Sequence, residues 1–276
     1  MLKIIESVAE YRELYNKYVI LNKAKGITNF FVNEKKIAVF IDNKKIKFDV
    51  VDGALFLFVE ENYYYKMYFY GLTAEIKHLP TADKNICCDI FDQKENETHG
   101  FLYNLFLNNN FVCKQKYEQV RLCYGKLHRI ALGYLEKNKW KLQEHNMRID
   151  KLKLTDKLEF EQLVIDNMGQ YDGFSIEDPE WEEQIKNNNV VGIYVLDKLI
   201  AAYYFTEKAG RIIVEKKYRG RNLSVLLRMY FATQKRWSNS SKNQYDWVEE
   251  NNISSKKTFE KLFAVYTGKI KYRYLK

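Results

Sequence analysis

The stretch Ile212-Ile213-Val214-Glu215-Lys216-Lys217-Tyr218-Arg219-Gly220-Arg221-Asn222-Leu223-Ser224 constrains this chain more than any other. Three consecutive β-branched apolar residues predict a buried strand, here Arg211–Glu215. The Lys/Arg/Gly-rich run after it must turn. Leu223, Leu226, Leu227, Tyr230 and Phe231 then recur at helical spacing, which predicts a helix from Asn222 to about Trp237. A strand that turns directly into a helix leaves the first N–H groups of that helix unpaired at its positive end. Such a start is a cradle for an anion, phosphate above all. Gly220 allows the backbone to approach a bound group closely, and Arg219 and Arg221 keep their charge at any physiological pH. The plainer reading of the same residues is an ordinary surface turn.

Around this stretch the second half of the chain alternates strand and helix. Strands are expected at Arg148–Leu154, Val190–Leu196, Leu199–Thr206 and Tyr245–Glu249, with a final hairpin of Val265–Tyr266 and Lys269–Leu275 split at Thr267-Gly268. Helices are expected at Lys157–Met168, opened by a capping box of Asp156 and Glu159, from Asp178-Pro179 to Asn187, and from Ser254 or Ser255 to Phe263. The first half opens with a helix over Ile5–Leu21. Strands follow at Ile37–Ile41, Ile46–Val51, Ala54–Val59 and Tyr63–Tyr70, punctuated by Asp42-Asn43 and Asp52-Gly53. Then come a strand at Ile86–Phe91, a short helix at Gly100–Leu107 and two strands within Phe111–Tyr124. Residues 126–142 have helical period and read as a connecting helix. The expected division is 1–125, a connector at 126–147, and 148–276.

Composition narrows the class. At 46% hydrophobic and 29% charged, the chain is too apolar to be disordered and too charged for a membrane bundle. The net charge of +9 favours anionic partners, but it is spread along the chain with no basic tail. Cys87, Cys88, Cys113 and Cys123 have no CxxC spacing, so a zinc site is not expected. Neither a signal peptide nor a transmembrane run stands out, and the expectation is a cytoplasmic protein with neither membrane nor nucleic acid as partner.

The Val214–Ser224 stretch resembles motif A of the GNAT superfamily, V-x-P-x-Y-R-G-[KR]-G-[LIM]-G. It matches at Val214, Tyr218, Arg219, Gly220, Arg221 and Leu223. Lys216 replaces the proline, and Asn222 and Ser224 replace two glycines. A second stretch, Val248 to Leu262, resembles the family's V-x-x-x-N-x-x-S-x-x-x-Y-x-K-x-G-F. Asn252 and Ser255 fall on the Asn and Ser positions, and Phe259 stands at the tyrosine. The resemblance implies an α/β (α+β) fold, a GNAT-like mixed sheet flanked by helices. It also implies that the Val214 backbone faces the pantetheine of acetyl-CoA or another acyl-CoA. Arg219, Gly220, Arg221, Asn222, Leu223 and Ser224 would face its pyrophosphate, and Asn252 and Ser255 would help to hold it. The segment Leu105–Lys114 is similar to Leu262–Lys269, so the first half reads as a degenerate second copy, giving two tandem GNAT-like domains. No Arg-Gly loop lies between Tyr70 and Ile86.

By that resemblance the chain is an N-acyltransferase that takes a coenzyme A thioester and an amine acceptor. The amine must lose a proton, for which Glu215 and Glu249 are the nearest carboxylates. Phe259 cannot donate a proton to the leaving thiolate, and Tyr266 is the candidate replacement. Met168–Glu180, with Asp172, Glu177 and Asp178, would lie over the acceptor cleft. Two alternatives stand beside this reading: a non-catalytic acyl-CoA-binding or sensing protein, and a Fem-type transferase that draws on aminoacyl-tRNA.

Overall fold

The structure, a computed structural model, describes residues 2–20, 27–29, 34–61, 63–93, 97–167, 180–205, 210–234 and 243–276. The chain forms two compact units, Met1–Tyr117 with Gly268–Lys276, and Glu118–Thr267. These differ from the division expected from sequence. The helix expected as a connector lies inside the second unit, and the last nine residues belong to the first.

The first unit runs β1 (Lys3–Ile4), α1 (Val8–Tyr15) with a π turn to Ile20, α2 (Glu34–Asp42), β2 (Ile46–Val51), β3 (Ala54–Glu60), β4 (Tyr64–Tyr70), β5 (Asn85–Gln93), α3 (Glu97–Asn108) and the start of β6 (Val112–Cys123). Strands β2, β3 and β4 make an antiparallel meander. β3 shows how a continuous apolar run becomes a central strand. Ala54, Phe56 and Phe58 enter one core while Leu55, Leu57 and Val59 enter another on the opposite face. β5 pairs with β4 in parallel at Tyr64↔Asn85, Tyr65↔Ile86 and Lys66↔Cys87. Past Lys66 the side chain of Asn29 bridges them. Its Nδ2 donates to the Asp89 carbonyl at 2.9 Å, and its Oδ1 accepts from the Phe69 N–H at 2.7 Å. Between Gly71 and Lys84 there is no helix, and Leu72, Ile76 and Leu79 fill the core instead.

Ile37–Ile41 is not a strand. Ile37 and Ile41 are buried one helical turn apart while Val39 is exposed, so the run forms the inner face of α2. A five-residue apolar run carries no decisive period, and Glu34 before it supplies a helix start.

The second unit contains the end of β6, α4 (Tyr124–Glu144), β7 (Met147–Lys151), α5 (Lys157–Asn167), α6 (Glu180–Lys186), β8 (Val190–Val195), β9 (Lys198–Phe205), β10 (Gly210–Val214), α7 (Leu223–Ala232), β11 (Asn243–Glu249) and α8 (Ile253–Lys261). Four antiparallel strands lie in the order β10-β9-β8-β7. α5 and α6 cover one face through Phe160, Leu163, Val164 and Trp181. α4, α7 and α8 cover the other through Leu127, Ala131, Leu227, Phe231 and Phe259. Glu159 does not close a capping box. Its Oε1 accepts from the Leu199 N–H at 2.8 Å and ties α5 to the sheet. The Asp178-Pro179 cap and the end of the predicted helix at Trp237 lie outside the described residues.

The final hairpin is also corrected. Val265–Leu275 is one strand, β12, and Lys269–Leu275 pairs antiparallel with Gln93–Cys87 of the first unit's β5. Gly268 takes φ +82°, and the strand continues through it. Phe111–Tyr124 likewise holds one long strand, β6, in place of two. Among the described residues no helix is long and apolar enough to cross a membrane.

Candidate functional site

The candidate site lies in the second unit, where β10 ends and α7 begins. β10 is the edge of its sheet, and among the described residues no backbone ladder joins it to β11. The Glu215 N–H donates to the Ile200 carbonyl of β9 at 2.9 Å. Backbone groups alternate along a strand, so Val214 turns its N–H and carbonyl away from β9, toward the unpaired edge. At the other end of β10 the same alternation aims the Gly210 N–H at β11, where the Asp246 Oδ1 accepts it at 2.8 Å. A side chain of β11, not its backbone, therefore spans the two strands there.

A buried polar network supports that arrangement. Arg228 of α7 lies 2.8 Å from Asp246 Oδ2, each side chain only 4% exposed. Burial opposes the Arg228 charge, but Asp246 more than offsets it and the guanidinium's pKa is raised. The Gln244 Oε1 accepts from Tyr203 Oη at 2.7 Å and from Tyr124 Oη at 2.5 Å. A Cβ at Gly210 would sit 1.8 Å from Gln244 Nε2 and 2.7 Å from Tyr203 Oη, so any larger residue there forces those side chains to shift. Phe259, at the family's tyrosine position, packs its ring 4.8 Å from the Arg228 guanidinium.

After Val214 a turn of 3₁₀-helix spans Lys216–Tyr218. Gly220 follows at φ +82° and Asn222 at φ +59°, both left-handed, as the turn into α7 requires. Asn222 is the N-cap of α7 without a side-chain capping bond. Arg219 and Gly220 form a turn that directs the Arg221 N–H back onto it, and among the described residues nothing accepts a hydrogen bond from the amides of Gly220, Asn222, Leu223 or Ser224. The Asn222 Oδ1 instead accepts from Lys261 Nζ at 2.6 Å, and Ser224 Oγ lies 3.5 Å from Thr258 Oγ1. Arg221 has its guanidinium 5.4 Å from the Tyr218 ring.

Arg219 does not point along the cradle. Its Nε donates to the Val214 carbonyl at 3.0 Å, and its NH2 lies 3.5 Å from Asn167 Oδ1, which also accepts from the Lys216 N–H. Asn252 caps α8 by accepting from the Ser255 N–H at 2.9 Å. The Glu215 carboxylate is engaged by Lys217 at 3.2 Å and Lys198 at 3.6 Å. Glu249 ends β11, and Tyr266 lies on β12 just after α8. Burial raises the Tyr266 pKa, and Lys256 pulls it back in part. Among the described residues no hydrogen bond or ion pair joins any two of Glu215, Glu249 and Tyr266. Residues 168–179, with Asp172, Glu177 and Asp178, lie outside the described residues.

Sequence reasoning missed Asn167, Lys261 and the Arg228–Asp246 pair. Arg228 alone carries a signal, a charge inside the apolar helix LSVLLRMYFA. Among the described residues no cluster of His, Cys, Asp or Glu could hold a metal ion.

No protein-family model matches the sequence, and no curated protein matches it. Solved structures do. The whole chain aligns with a GCN5-related N-acetyltransferase from Sphaerobacter thermophilus at TM-score 0.55 and 8% identity, covering 95% of that protein. A GNAT-family acetyltransferase from Colwellia psychrerythraea aligns over the whole chain at TM-score 0.54 and 14% identity, covering 98% of it. A tandem GNAT protein from the clavulanic acid biosynthesis pathway does so at TM-score 0.54 and 7% identity, again covering 98%. At these identities the likeness is one of fold. An edge strand left unladdered against β11, an open amide turn into α7 and full-length structural similarity to these proteins lead to one conclusion: this chain has the GNAT fold, a mixed α/β architecture of sheet flanked by helices.

Proposed function

We propose that the second unit binds an acyl-CoA and that the chain transfers the acyl group to an amine. The observation that carries this is the set of four amides, of Gly220, Asn222, Leu223 and Ser224, without protein acceptors among the described residues. Unpaired N–H groups at a helix start favour a diphosphate, and Arg221 adds a cation at the same turn. The Val214 N–H, aimed at the open edge, is placed to hold a thioester carbonyl oxygen. Arg219 acts by holding the Val214 carbonyl, so its part is positioning. Asn252 and Ser255 set the start of α8 beside the cradle.

Acyl-CoA supplies an activated thioester, and the chain must orient it and accept a proton from the amine. Glu215 and Glu249 are the bases in this reading. Tyr266 is the acid. The first unit follows the same order of elements without the central helix, with Asn29 bridging β4 and β5 where the second unit is open. It is read as a tandem, non-binding copy. Four free cysteines agree with work in the cytoplasm.

Calorimetric titration of acetyl-CoA into the full chain tests the reading. Wild type should show saturable binding at one site per chain, and the Arg219→Ala/Arg221→Ala variant should bind at least about tenfold more weakly, as expected for losing a charged hydrogen bond. A flat wild-type titration would sink the reading. One observation favours a second reading: Phe259 is buried against Arg228 and has no proton to give. A binder without turnover would take up acetyl-CoA yet release no free thiol with any amine tested.

A further inference from the structure

Asn167 is the last residue of α5, and its side-chain amide is used at both ends. Its Nδ2 donates to the Leu163 carbonyl one turn back at 2.9 Å, which fixes the way the amide faces. Its Oδ1 is thereby turned to the end of β10, where it accepts from the Lys216 N–H at 3.2 Å and lies 3.5 Å from Arg219 NH2. Every group of two successive peptide units then has a partner. The Val214 carbonyl accepts from Arg219 Nε at 3.0 Å, and the Glu215 N–H donates to the Ile200 carbonyl at 2.9 Å. The Glu215 carbonyl accepts from the Tyr218 N–H at 2.9 Å, and the Lys216 N–H goes to Asn167. The first three bonds are made within the sheet or the turn. The fourth ties the strand end to a helix. Phe160, Leu163 and Val164 of α5 share a core with Ile213 of β10, so Asn167 stands on a helix already seated against that strand.

We infer that Asn167 is a positioning residue for acyl transfer: from α5 it sets the strand end that aims the Val214 N–H at the thioester oxygen. The inference rests on the acyl-CoA reading above and deepens it. An N–H stabilises charge developing on that oxygen only if it is held in place beforehand. A strand end free to tilt would lose this effect before it lost its grip on the rest of the cofactor. α5 lies outside both sequence motifs, so the assignment stands on the hydrogen bonds of Asn167. Among the described residues none of these reaches Gly220–Ser224, so losing them should spare the diphosphate contacts.

The test reads the carbonyl stretch of bound acetyl-CoA, labelled with carbon-13 at the thioester carbon, by difference infrared spectroscopy on the full chain. Calorimetric titrations of acetyl-CoA and of CoA run beside it. Wild type, Asn167→Ala and Asn167→Asp are compared. Alanine removes the acceptor and aspartate keeps it. The residue is half-buried at a helix end, so both variants should keep their fold, checked by circular dichroism. Wild type should bind both ligands and move the bound carbonyl to lower frequency than in free acetyl-CoA, the mark of a hydrogen bond to its oxygen. Asn167→Ala should lose most of that shift while its CoA affinity stays within about threefold of wild type. Asn167→Asp should restore the shift. An unchanged shift in Asn167→Ala, an aspartate variant no better than alanine, or a wild type that binds acetyl-CoA without a shift would overturn the positioning role and leave the cofactor reading standing. Equal loss of affinity for CoA and acetyl-CoA in Asn167→Ala would show a merely structural part and overturn it as well. Failure of wild type to bind either ligand would overturn both readings.

Discussion

Replacing Asp246 with alanine tests the buried network that sets the spacing of β10 and β11. The substitution removes the carboxylate 2.8 Å from Arg228 and the acceptor of the Gly210 N–H. Arg228 cannot shed its proton, and its guanidinium would be left with Gln244 Oε1 at 3.4 Å and the rings of Tyr203 and Phe259. Breaking a buried pair from one side costs about 3–5 kcal/mol. An orphaned N–H costs about 1–3 kcal/mol more, in part overlapping. A total of about 4–6 kcal/mol follows, and at roughly 2–4 °C per kcal/mol for a chain of this size even the lower figure lowers Tm by about 8–16 °C. Urea and thermal unfolding, read by tryptophan fluorescence, measure it. The double variant Arg228→Met/Asp246→Leu should lose less than Asp246→Ala alone, because no charge is left buried. A loss below about 1 kcal/mol in Asp246→Ala, or a double variant no better than the single, would refute the argument.

Two further outcomes are expected. In the first unit, burial works against ionisation of Asp89, but Lys66 at 2.6 Å and Arg273 at 2.9 Å outweigh it and hold its pKa well below the usual carboxylate range. A depressed folded pKa gives stability that is present above the ordinary value of about 4 and lost as pH falls below it. Asp89→Asn should therefore be less stable at pH 7 and show a shallower loss below about pH 4 by urea titration; an unchanged acid slope would contradict this. Gly210→Ala should cost about 1–3 kcal/mol by overpacking against Gln244, whereas Gly220→Ala, with open space around it, should cost only the roughly 1 kcal/mol of a left-handed backbone. Equal melting temperatures for the two variants would show that β10 and β11 are packed more loosely than described.

Much of the fold is readable from local pattern. β3, β8, β9 and β10 are long or β-branched apolar runs, and α4, α5 and α7 repeat their apolar residues at helical period over two turns or more. The failures came where the local signal is short or two-valued. Ile37–Ile41 has too few residues to separate strand from helix. Thr267-Gly268 has turn chemistry, yet the strand passes through it because Lys269–Leu275 has a partner in β5. Of the candidate site, the amide turn was legible, while the side chains around it were not. Arg219 bonds to the Val214 carbonyl and Asn252 caps α8, contacts that no local pattern names.

The sequence alone determined the strand–turn–helix step from Ile212 to Ser224, because β-branching, a glycine able to take positive φ and a helical apolar stripe all act within a few residues. Only the tertiary structure decided that β10 would be left unladdered against β11, that Arg228 and Asp246 would pair inside the core, and that Lys261 and Asn167 would reach the same turn from distant segments. Those outcomes depend on which faces bury against each other. Burial of a shared core, with a partner found for each enclosed charge, links residues that no local pattern connects.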